Sequence, residues 1–438
     1  MRIQVTTWVP GKSNRALDTF LSRPAFDDKA QDVAATVLAD VKHRGDAAVI
    51  EYASRFDHAT MTPSGLQVHE DELTAAAALV DPAFRKAAKV AYQRIFKFAK
   101  AGMKRNWEMK TDHGGRLGEF YLPFDRVGVY IPGGAAPLAS TALMTATLAK
   151  AAGVPEIVAC TPCTGDGAVN PYVLYALQLA GATEIYRVGG IHAIGLMAYG
   201  TRRIRKVQKI VGPGGTYVTA AKRLVYGDVA LDLVAGPSEI AILADASANP
   251  SCVAMDLLSQ AEHGTGHEKA LLVSPSAELI AGVRKALPAH VATLGRAEAI
   301  TRVAQCGGIM LVQVASLEEG AALCNRFAPE HLELMVEDPR RWIKQIRCAG
   351  AVFMGHWTPE SAGDFAAGPS HVLPTGGAAA MFSGLTVDDF HRRSSFVQFT
   401  KNDLKEVLPV IEAFGRVEGL DAHARSGSIR FAAEGKGI

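Results

Sequence analysis

The fold is decided by the stretch Val127-Gly-Val-Tyr130-Ile-Pro-Gly133-Gly134-Ala-Ala-Pro137. It is a short apolar run that ends in a turn of glycine and proline, and the small-residue segment Leu143–Gly153 follows it. This order is typical of a buried strand, a tight turn and a helix. The stretch therefore predicts the strand–turn–helix unit from which parallel sheets are built.

The same alternation continues along the chain. Short apolar runs are separated by helical segments of about 10–15 residues, as a parallel sheet requires. The further strands predicted in this way are Glu156–Cys160, Glu184–Val188, Val207–Val211, Ile240–Ala244, Ala270–Val273, Gly308–Val312, Leu332–Val336 and Ala351–Met354. We therefore predict an α/β fold with two parallel arrays in series.

The two ends of the chain have a different pattern. Residues 27–107 have helical spacing, with a long second segment from Glu70 to Trp107. Residues 363–386 are rich in glycine and alanine and are predicted to form a loop. A charged helix from Lys401 to about Glu418 is predicted to precede a short tail.

Length, composition and charge exclude several classes of protein. A chain of 438 residues needs more than one domain, and 48% hydrophobic with 21% charged residues is typical of a globular protein. Lys+Arg 46 against Asp+Glu 44 argues against nucleic acid or an anionic membrane as the main partner. No apolar run is long enough for a bilayer, and Met1 to Asn14 lacks the apolar core of a secretory signal. Six cysteines in so long a chain favour a reducing cytoplasm over a disulfide framework.

Glycine-rich turns follow or precede four of the predicted strands. Open α/β sheets bind ligands at the carboxyl ends of their strands, where the N–H groups of such turns can take phosphate oxygens. The candidate groups are Tyr130 with Gly133-Gly134, Gly189-Gly190-Ile191-His192, Gly212-Pro213-Gly214-Gly215 and Gly236-Pro237-Ser238-Glu239. None matches the dinucleotide or P-loop pattern. The need for glycine at positive φ accounts for most of them, so they allow a phosphate-bearing ligand without requiring one.

Polar groups that could carry chemistry occur in the second array and in the loop and tail that follow it. On a helix, Gln260 and His263 would share one face and could hold a metal or a polar substrate, although taken alone the pair is better explained by a helix end that frays into a glycine-rich turn. The adjacent pair Glu330-His331 suits general acid–base work on two separate protons. Further oxygen and imidazole groups are Asp364, His371, Glu418 and His423. Two nitrogen and two oxygen ligands from these residues would suit zinc, but spacing alone does not bring them together.

Several of these stretches together resemble the histidinol dehydrogenase family, in order and from about residue 27 to the end. The stretches are Val127–Gly134, Gly236–Glu239, Asp256–Gly264, Ala328–His331, Glu360–Asp364, His371–Thr375 and Glu418 to His423. The resemblance implies two incomplete Rossmann-like domains with an N-terminal helical segment and a small C-terminal helical tail. The domains expected are an arm at 1–25, a catalytic and metal-binding α/β domain at 26–129 plus 239–385, an NAD-binding α/β domain at 130–238, and a tail at 386–438 that reaches the partner subunit.

The resemblance also implies a set of site residues. Zinc would be held by Gln260, His263, Asp364 and the partner subunit's His423, in a homodimer with shared active sites. Glu330 and His331 would be the acid–base residues. The implied substrate-binding residues are Ser238, Gln260, His263, His331, Asp364, His371, Glu418 and His423, and the implied NAD contacts are Tyr130, His192 and Gly215.

The implied reaction is a four-electron oxidation of a primary alcohol by two NAD, through a bound aldehyde to a carboxylate. His331 would take the hydroxyl proton, and Glu330 would activate the water that adds to the aldehyde. The leading substrate is L-histidinol, with L-histidine as the product.

The sequence departs from the family at several positions. His192 stands in place of a glutamine, Gly215 in place of an asparagine, and Phe365 where many members carry tyrosine. Gly368-Pro-Ser370-His371 differs from the usual Gly-Thr-Asn-His. Two alternatives therefore stay open: a divergent paralogue that oxidises another small primary alcohol, such as a sulfonated propanediol, and a non-catalytic zinc-stabilised binding protein.

Overall fold

The computed structural model describes residues 2–22, 27–133, 137–233 and 236–432, so Gly134 of the first predicted turn lies outside the described residues. The chain divides into two compact units. The first unit is formed by Met1–Gly102 and Phe124–Phe390, and the second by Met103–Pro123 and His391–Ile438. Each unit is described by itself below.

The described residues form strands and helices in regular alternation over most of the chain. The strands are β1 (Gln4–Thr7), β2 (Trp107–Lys110), β3 (Arg116–Pro123), β4 (Arg126–Tyr130), β5 (Glu156–Cys160), β6 (Glu184–Tyr186), β7 (Lys209–Val211), β8 (Ala230–Leu231), β9 (Glu239–Ala244), β10 (Lys269–Ser274), β11 (Ile309–Gln313), β12 (His331–Met335), β13 (Ala351–Met354) and β14 (His391–Gln398). The helices are α1 (Arg15–Leu21), α2 (Asp28–Arg44), α3 (Asp46–Phe56), α4 (Glu70–Leu79), α5 (Pro82–Gly102), α6 (Ala139–Ala152), α7 (Pro171–Ala180), α8 (Gly190–Tyr199), α9 (Thr216–Leu224), α10 (Pro250–Ala261), α11 (Ala277–Val291), α12 (Ala297–Gln305), α13 (Leu317–Phe327), α14 (Pro339–Trp342), α15 (Glu360–Phe365), α16 (Lys401–Val417) and α17 (Asp421–Ala432).

The first unit contains two parallel sheets. One is five-stranded with the order β6-β5-β4-β7-β8, and the other is six-stranded with the order β1-β11-β10-β9-β12-β13. Every residue of strands β4, β9 and β12 is buried. In β4 and β9 this burial explains the apolar run that follows the first residue, whereas β12 alternates between apolar residues and the buried polar residues His331 and Glu333. The predicted fold class, two Rossmann-like parallel α/β arrays with helical ends, is confirmed. The predicted domain boundaries within this unit stay a prediction.

The predicted strands are all present, with ends shifted by one or two residues at most. The N-terminal arm, however, contains strand β1, which pairs in parallel with β11 in the register Gln4↔Met310. The prediction of one long helix from Glu70 to Trp107 is wrong, because the segment forms two helices, α4 and α5, and α5 ends at Gly102. A new helix begins at Pro82 because Asp81 accepts a hydrogen bond from the N–H of Phe84 and proline is favoured at the first helical position.

The second unit is an antiparallel sheet with two helices. The strand order is β14-β3-β2, and Trp107 begins β2 instead of ending a helix. The predicted short tail contains a further helix, α17, which packs on α16. The close contact of these helices depends on Gly415, where a Cβ would lie 2.6 Å from that of Ala424.

Among the described residues, no helix combines the length and the apolar character that a membrane crossing requires.

We expect Gly118→Ala to destabilise the second unit. A Cβ at Gly118, in the central strand β3, would lie 2.2 Å from the carbonyl oxygen of Trp107 and 2.6 Å from the ring of Phe396. Such overpacking costs about 1–3 kcal/mol. Urea unfolding followed by circular dichroism measures the loss. The matched control is Gly102→Ala, where a Cβ meets nothing within 4 Å, and equal midpoints for the two variants would contradict the expectation.

Candidate active site

Glu330 and His331 lie at the junction between α13 and β12. Helix α13 ends at Phe327, and Ala328 has a φ of 48°, a left-handed conformation that turns the chain sharply into the strand. Strand β12 runs parallel to β9 in the register His331↔Ile240. This pairing sets the predicted acid–base residues against the first residue of β9, Glu239.

The main chain of Glu239 holds both of these side chains. Its N–H donates to Oε2 of Glu330 at 3.1 Å, and its carbonyl oxygen lies 3.2 Å from Nδ1 of His331. Because a carbonyl oxygen can only accept, this contact places a proton on Nδ1 and leaves Nε2 as an acceptor. Glu330 and His331 are 5% and 3% exposed. Nε2 of His331 has no hydrogen-bond partner among the described residues.

Gln260 enters the same place from the end of α10 and is completely buried. The amide orientation that suits its neighbours turns its nitrogen toward the carbonyl oxygen of Glu239 at 3.2 Å and Oε1 of Glu360 at 3.0 Å. These two oxygens take the two amide protons, and Nδ1 of His331, also 3.2 Å from this nitrogen, keeps its own proton for the carbonyl oxygen of Glu239. The amide oxygen then lies on the opposite side. Helix α10 ends at Ala261, so His263 belongs to the turn that follows and not to a shared helical face. The N–H of His263 still donates to the carbonyl of Gln260 at 3.4 Å.

Helix α15 supplies two carboxylates on opposite sides of the His331 ring. Oε1 of Glu360 lies 3.3 Å from Nδ1, and Oδ1 of Asp364 lies 3.6 Å from Nε2. Ligand-type atoms of His331, Glu360 and Asp364 all lie within 4.8 Å of one another, a grouping that could hold a metal ion. The sequence interpretation missed Glu360 as a site residue. Its spacing of four from Asp364, which puts both on one helical face, was the signal that could have found it.

His371 is held between two segments beside this group. Its Nδ1 lies 3.1 Å from the carbonyl oxygen of Asp364, and its Nε2 lies 3.1 Å from the hydroxyl of Thr141 on α6. The carbonyl must accept from Nδ1–H, so the threonine hydroxyl donates to Nε2. Thr141 is a second residue that the sequence did not indicate.

Burial and charge shift the pKa values of the whole group. Burial raises the pKa of Glu330 to about 8 and that of Glu360 to about 7. Burial disfavours protonated His331, but the carboxylates of Glu360 and Glu330 outweigh it and raise the pKa of His331 to about 10. Burial also favours neutral Asp364, yet His331 and the nearby His371 lower the pKa of that carboxyl. The carboxyl groups of Glu330 and Glu360 therefore retain protons near neutral pH, and a cation bound beside them would favour their ionised forms.

The predicted cofactor residues lie at the five-stranded sheet. Tyr130 ends β4, and its hydroxyl accepts a hydrogen bond from the N–H of Gly190 at 3.0 Å. His192 is fully buried in α8 with Nε2 3.5 Å from Oδ2 of Asp57, so its imidazole faces α3. Gly215 caps α9 without a side-chain hydrogen bond and has open space around it.

The remaining predicted residues are placed as follows. Ser238 immediately precedes β9, and its carbonyl oxygen accepts a hydrogen bond from the N–H of Lys269 at 3.2 Å. Glu418 and His423 lie in the second unit, exposed at the end of α16 and the start of α17. The structure thus gathers Gln260, Glu330, His331 and Asp364 through direct contacts, and their roles stay predictions.

Comparison with known proteins gives one consistent result. The family model described as histidinol dehydrogenase matches residues 22–431. A histidinol dehydrogenase of Gloeobacter violaceus is 45% identical over 394 residues, covering 90% of this chain and 88% of that protein. One of Syntrophotalea carbinolica is 44% identical over 404 residues, with coverages of 91% and 92%. The crystal structure of histidinol dehydrogenase from Elizabethkingia anophelis is similar with a TM-score of 0.93 and 36% identity, over 99% of each chain.

We expect Glu360→Gln to lower the pKa of His331. The substitution removes a negative charge 3.3 Å from Nδ1, and loss of a charge this close should lower the pKa by about 1 or more. Nuclear magnetic resonance titration of histidine-labelled, chelator-treated protein measures it directly. The control is Glu268→Gln, a buried carboxylate that accepts hydrogen bonds from Thr265 and Gly266 and not from this group. A His331 titration that is unchanged in Glu360→Gln would refute the assigned cause.

Proposed function

The chain belongs to the histidinol dehydrogenase family, and on that premise we propose that it oxidises L-histidinol to L-histidine in two NAD-dependent steps at a zinc-containing site. The observation that carries the proposal is that the main chain of Glu239 hydrogen-bonds to both Glu330 and His331. Gln260 and Asp364 lie beside them. Such an enzyme serves histidine biosynthesis. The six cysteines are free, which agrees with the cytoplasm as its compartment.

The residues fit a divalent cation. Gln260 turns its amide nitrogen toward two acceptors, which leaves its oxygen as a ligand, and the low pKa of Asp364 keeps that carboxylate ionised. Burial lowers the pKa of His263, so its imidazole is neutral as a metal ligand must be. With the partner subunit's His423 these residues would form a set of two nitrogen and two oxygen ligands that zinc accepts. When bound, the metal would anchor the substrate as a Lewis acid.

A bound cation would also change the protonation states of Glu330 and His331. Without it, His331 with a pKa of about 10 would be protonated at neutral pH and unable to accept a proton. Positive charge beside Asp364 lowers the pKa of His331 and of Glu330, so that both can act as bases. The charge pattern of the buried group therefore supports metal binding and catalysis together.

The chain's own residues have two successive tasks in the proposed reaction. In the first oxidation, His331 takes the hydroxyl proton at Nε2, the nitrogen that Glu239 leaves open. In the second, Glu330 takes a proton from the water that adds to the aldehyde. NAD would accept one hydride in each step. The burial of both side chains excludes bulk water, which keeps the aldehyde from escaping as a free hydrate.

The cofactor site is proposed at the switch point of the five-stranded sheet. The chain leaves β4 toward β5 on one side and returns to β7 on the other, which creates a crevice at the carboxyl ends of β4 and β7. Tyr130 and the turn Gly212–Gly215 flank this crevice. Because the imidazole of His192 faces Asp57, we assign its contribution to its main chain.

The partner subunit is proposed to cover the apolar face of α16. Val410, Phe414 and Val417 follow one another at helical spacing and are 55%, 63% and 80% exposed. A row of this kind is typical of a surface that another chain buries. A homodimer would satisfy it and would also bring Glu418 and His423 to the site of the neighbour.

A second candidate is a related dehydrogenase for another small primary alcohol. Phe365, next to Asp364, is 59% exposed and offers no hydroxyl for a polar substrate. This departure and the segment Gly368–His371 favour a different head group beyond the reacting alcohol.

The reaction test is the amount of NADH formed from limiting L-histidinol. We expect about two NADH per histidinol, with L-histidine as the product, because each of two hydrides reduces one NAD. Glu330→Gln is expected to lower this yield, because the water-addition step needs a base. Turnover of another primary alcohol but not of histidinol would support the second candidate. An absence of NAD binding and of turnover with any alcohol would instead support a zinc-stabilised binding protein.

Mixing of subunits tests the shared site. Refolding Glu330→Ala together with His423→Ala should restore about a quarter of wild-type activity, because half of the dimers are mixed and each holds one intact site. The control mixture is Glu330→Ala with His331→Ala, which has no intact site in any dimer. Activity that never returns in the first mixture, or that returns equally in both, would rule out a site completed by the partner.

A further inference from the structure

A buried ion pair lies directly beneath the turn after β7. Nζ of Lys222 on α9 lies 2.5 Å from Oδ1 of Asp232, which follows β8. The two side chains are 3% and 1% exposed. Both also bind Gly212: Nζ donates to the carbonyl oxygen of Gly212 at 2.9 Å, and Oδ2 of Asp232 accepts from its N–H at 2.7 Å. The pair therefore fixes both main-chain polar groups of Gly212, its N–H and its carbonyl oxygen.

Gly212 packs closely against the main chain of Tyr130 at the end of β4. A Cβ there would lie 2.3 Å from the carbonyl oxygen of Tyr130, and its φ of +118° is open to glycine and strained for other residues. Any rotation at Gly212 would move the amides of Gly214 and Gly215 and the first turn of α9. The N-cap residue Gly215 makes no side-chain cap hydrogen bond, and the hydroxyl of Thr219 donates to the carbonyl oxygen of Gly214 at 3.2 Å. The direction of these N–H groups thus depends on the contacts of Gly212 together with that of Gly214.

A buried ion pair is a poor device for stability alone. Two well-packed apolar side chains often stabilise a protein as well or better, because no charge has to be desolvated. What the charged pair adds is direction, since the ammonium group can only donate and the carboxylate can only accept. Here that direction orients the peptide groups at both sides of Gly212.

We propose that Lys222 and Asp232 are positioning residues that pre-organise the turn Gly212–Gly215 for the dinucleotide. The inference rests on the proposed function, because it assumes that NAD binds at this crevice. Pre-organised binding groups improve affinity by removing the cost of ordering them on binding. The pair acts through the turn and does not touch the reacting atoms.

The same sheet offers a control at the opposite end of its strands, where the amino ends lie. Arg126, at the start of β4, is 5% exposed at its side chain and binds Glu184 through Nη1 at 2.5 Å and Nη2 at 2.8 Å. It also binds Glu156, which keeps a second partner in Arg205. Like the Lys222–Asp232 pair, this cluster joins a buried cation to carboxylates, although the side chain of Glu184 is 25% exposed. It lies at the amino ends of the strands, away from the crevice.

The test compares Lys222→Met/Asp232→Leu with Arg126→Met/Glu184→Leu in the full-length metal-loaded enzyme. For the first variant we expect the KM for NAD to rise about tenfold, with kcat at saturating NAD and the KM for the alcohol changed less than about threefold. Calorimetry should show the same loss of NAD affinity. The second variant should lower the thermal midpoint while leaving the KM for NAD within about twofold of the wild type.

A further variant keeps the test decisive if the first one does not fold. Asp232→Asn retains the size of the side chain and an acceptor for Gly212 but loses the ion pair, and its KM for NAD should rise about threefold or more. The proposal is overturned if the folded variants bind NAD as tightly as the wild type. It is also overturned if Arg126→Met/Glu184→Leu loses as much NAD affinity as Lys222→Met/Asp232→Leu. A wild-type enzyme that fails to bind NAD overturns the proposed function and this inference together, whereas a wild type that binds NAD as tightly as the variants overturns only the inference.

Discussion

The parallel pairing of β9 with β12 is the constraint on which the candidate site depends. Its register puts the start of β9 beside the start of β12, so that the main chain of one residue, Glu239, can donate to Glu330 through its N–H and accept from His331 through its carbonyl oxygen. Main-chain groups in a sheet are rigid and cannot be displaced by a change of rotamer. The two side chains are therefore oriented by the backbone of the sheet itself, and the other groups of the site are arranged around them.

Burial of carboxyl groups at this site costs free energy, and the protonation and pairing of these groups explain how the fold tolerates that cost. The carboxyl groups of Glu330 and Glu360 are both removed from water close to the imidazole of His331. An isolated buried charge costs several kcal/mol, so the group must share protons, pair with His331 or hold a cation. The same arrangement that disfavours the free site makes it receptive to a metal. A cation bound at this group would offset part of the free-energy cost of burying these carboxyl groups.

The strands could be predicted well because most of the buried parallel strands are apolar runs, several of them beside glycine-rich turns. It could not bring Gln260, Glu330 and Asp364 together, because α10, β12 and α15 are distant in the chain and their meeting depends on sheet order. The resemblance to a family supplied those residues as a set. The antiparallel sheet of the second unit was missed for a similar reason. Its central strand β3 pairs on one side with β14, which lies far along the chain, and its short partner β2 was taken for the end of a helix.

The pairing of β3 with β14 has a consequence for synthesis of the protein. The ribosome releases β3 long before it makes β14, so one edge of β3 waits unpaired while the whole of the sequence between them emerges. An unpaired edge with exposed hydrophobic residues such as Leu122 invites association with other nascent chains. The first unit can collapse around its two parallel sheets during translation, whereas the second can close only after β14 has emerged. Folding of the unit that carries His423 therefore follows folding of the first unit.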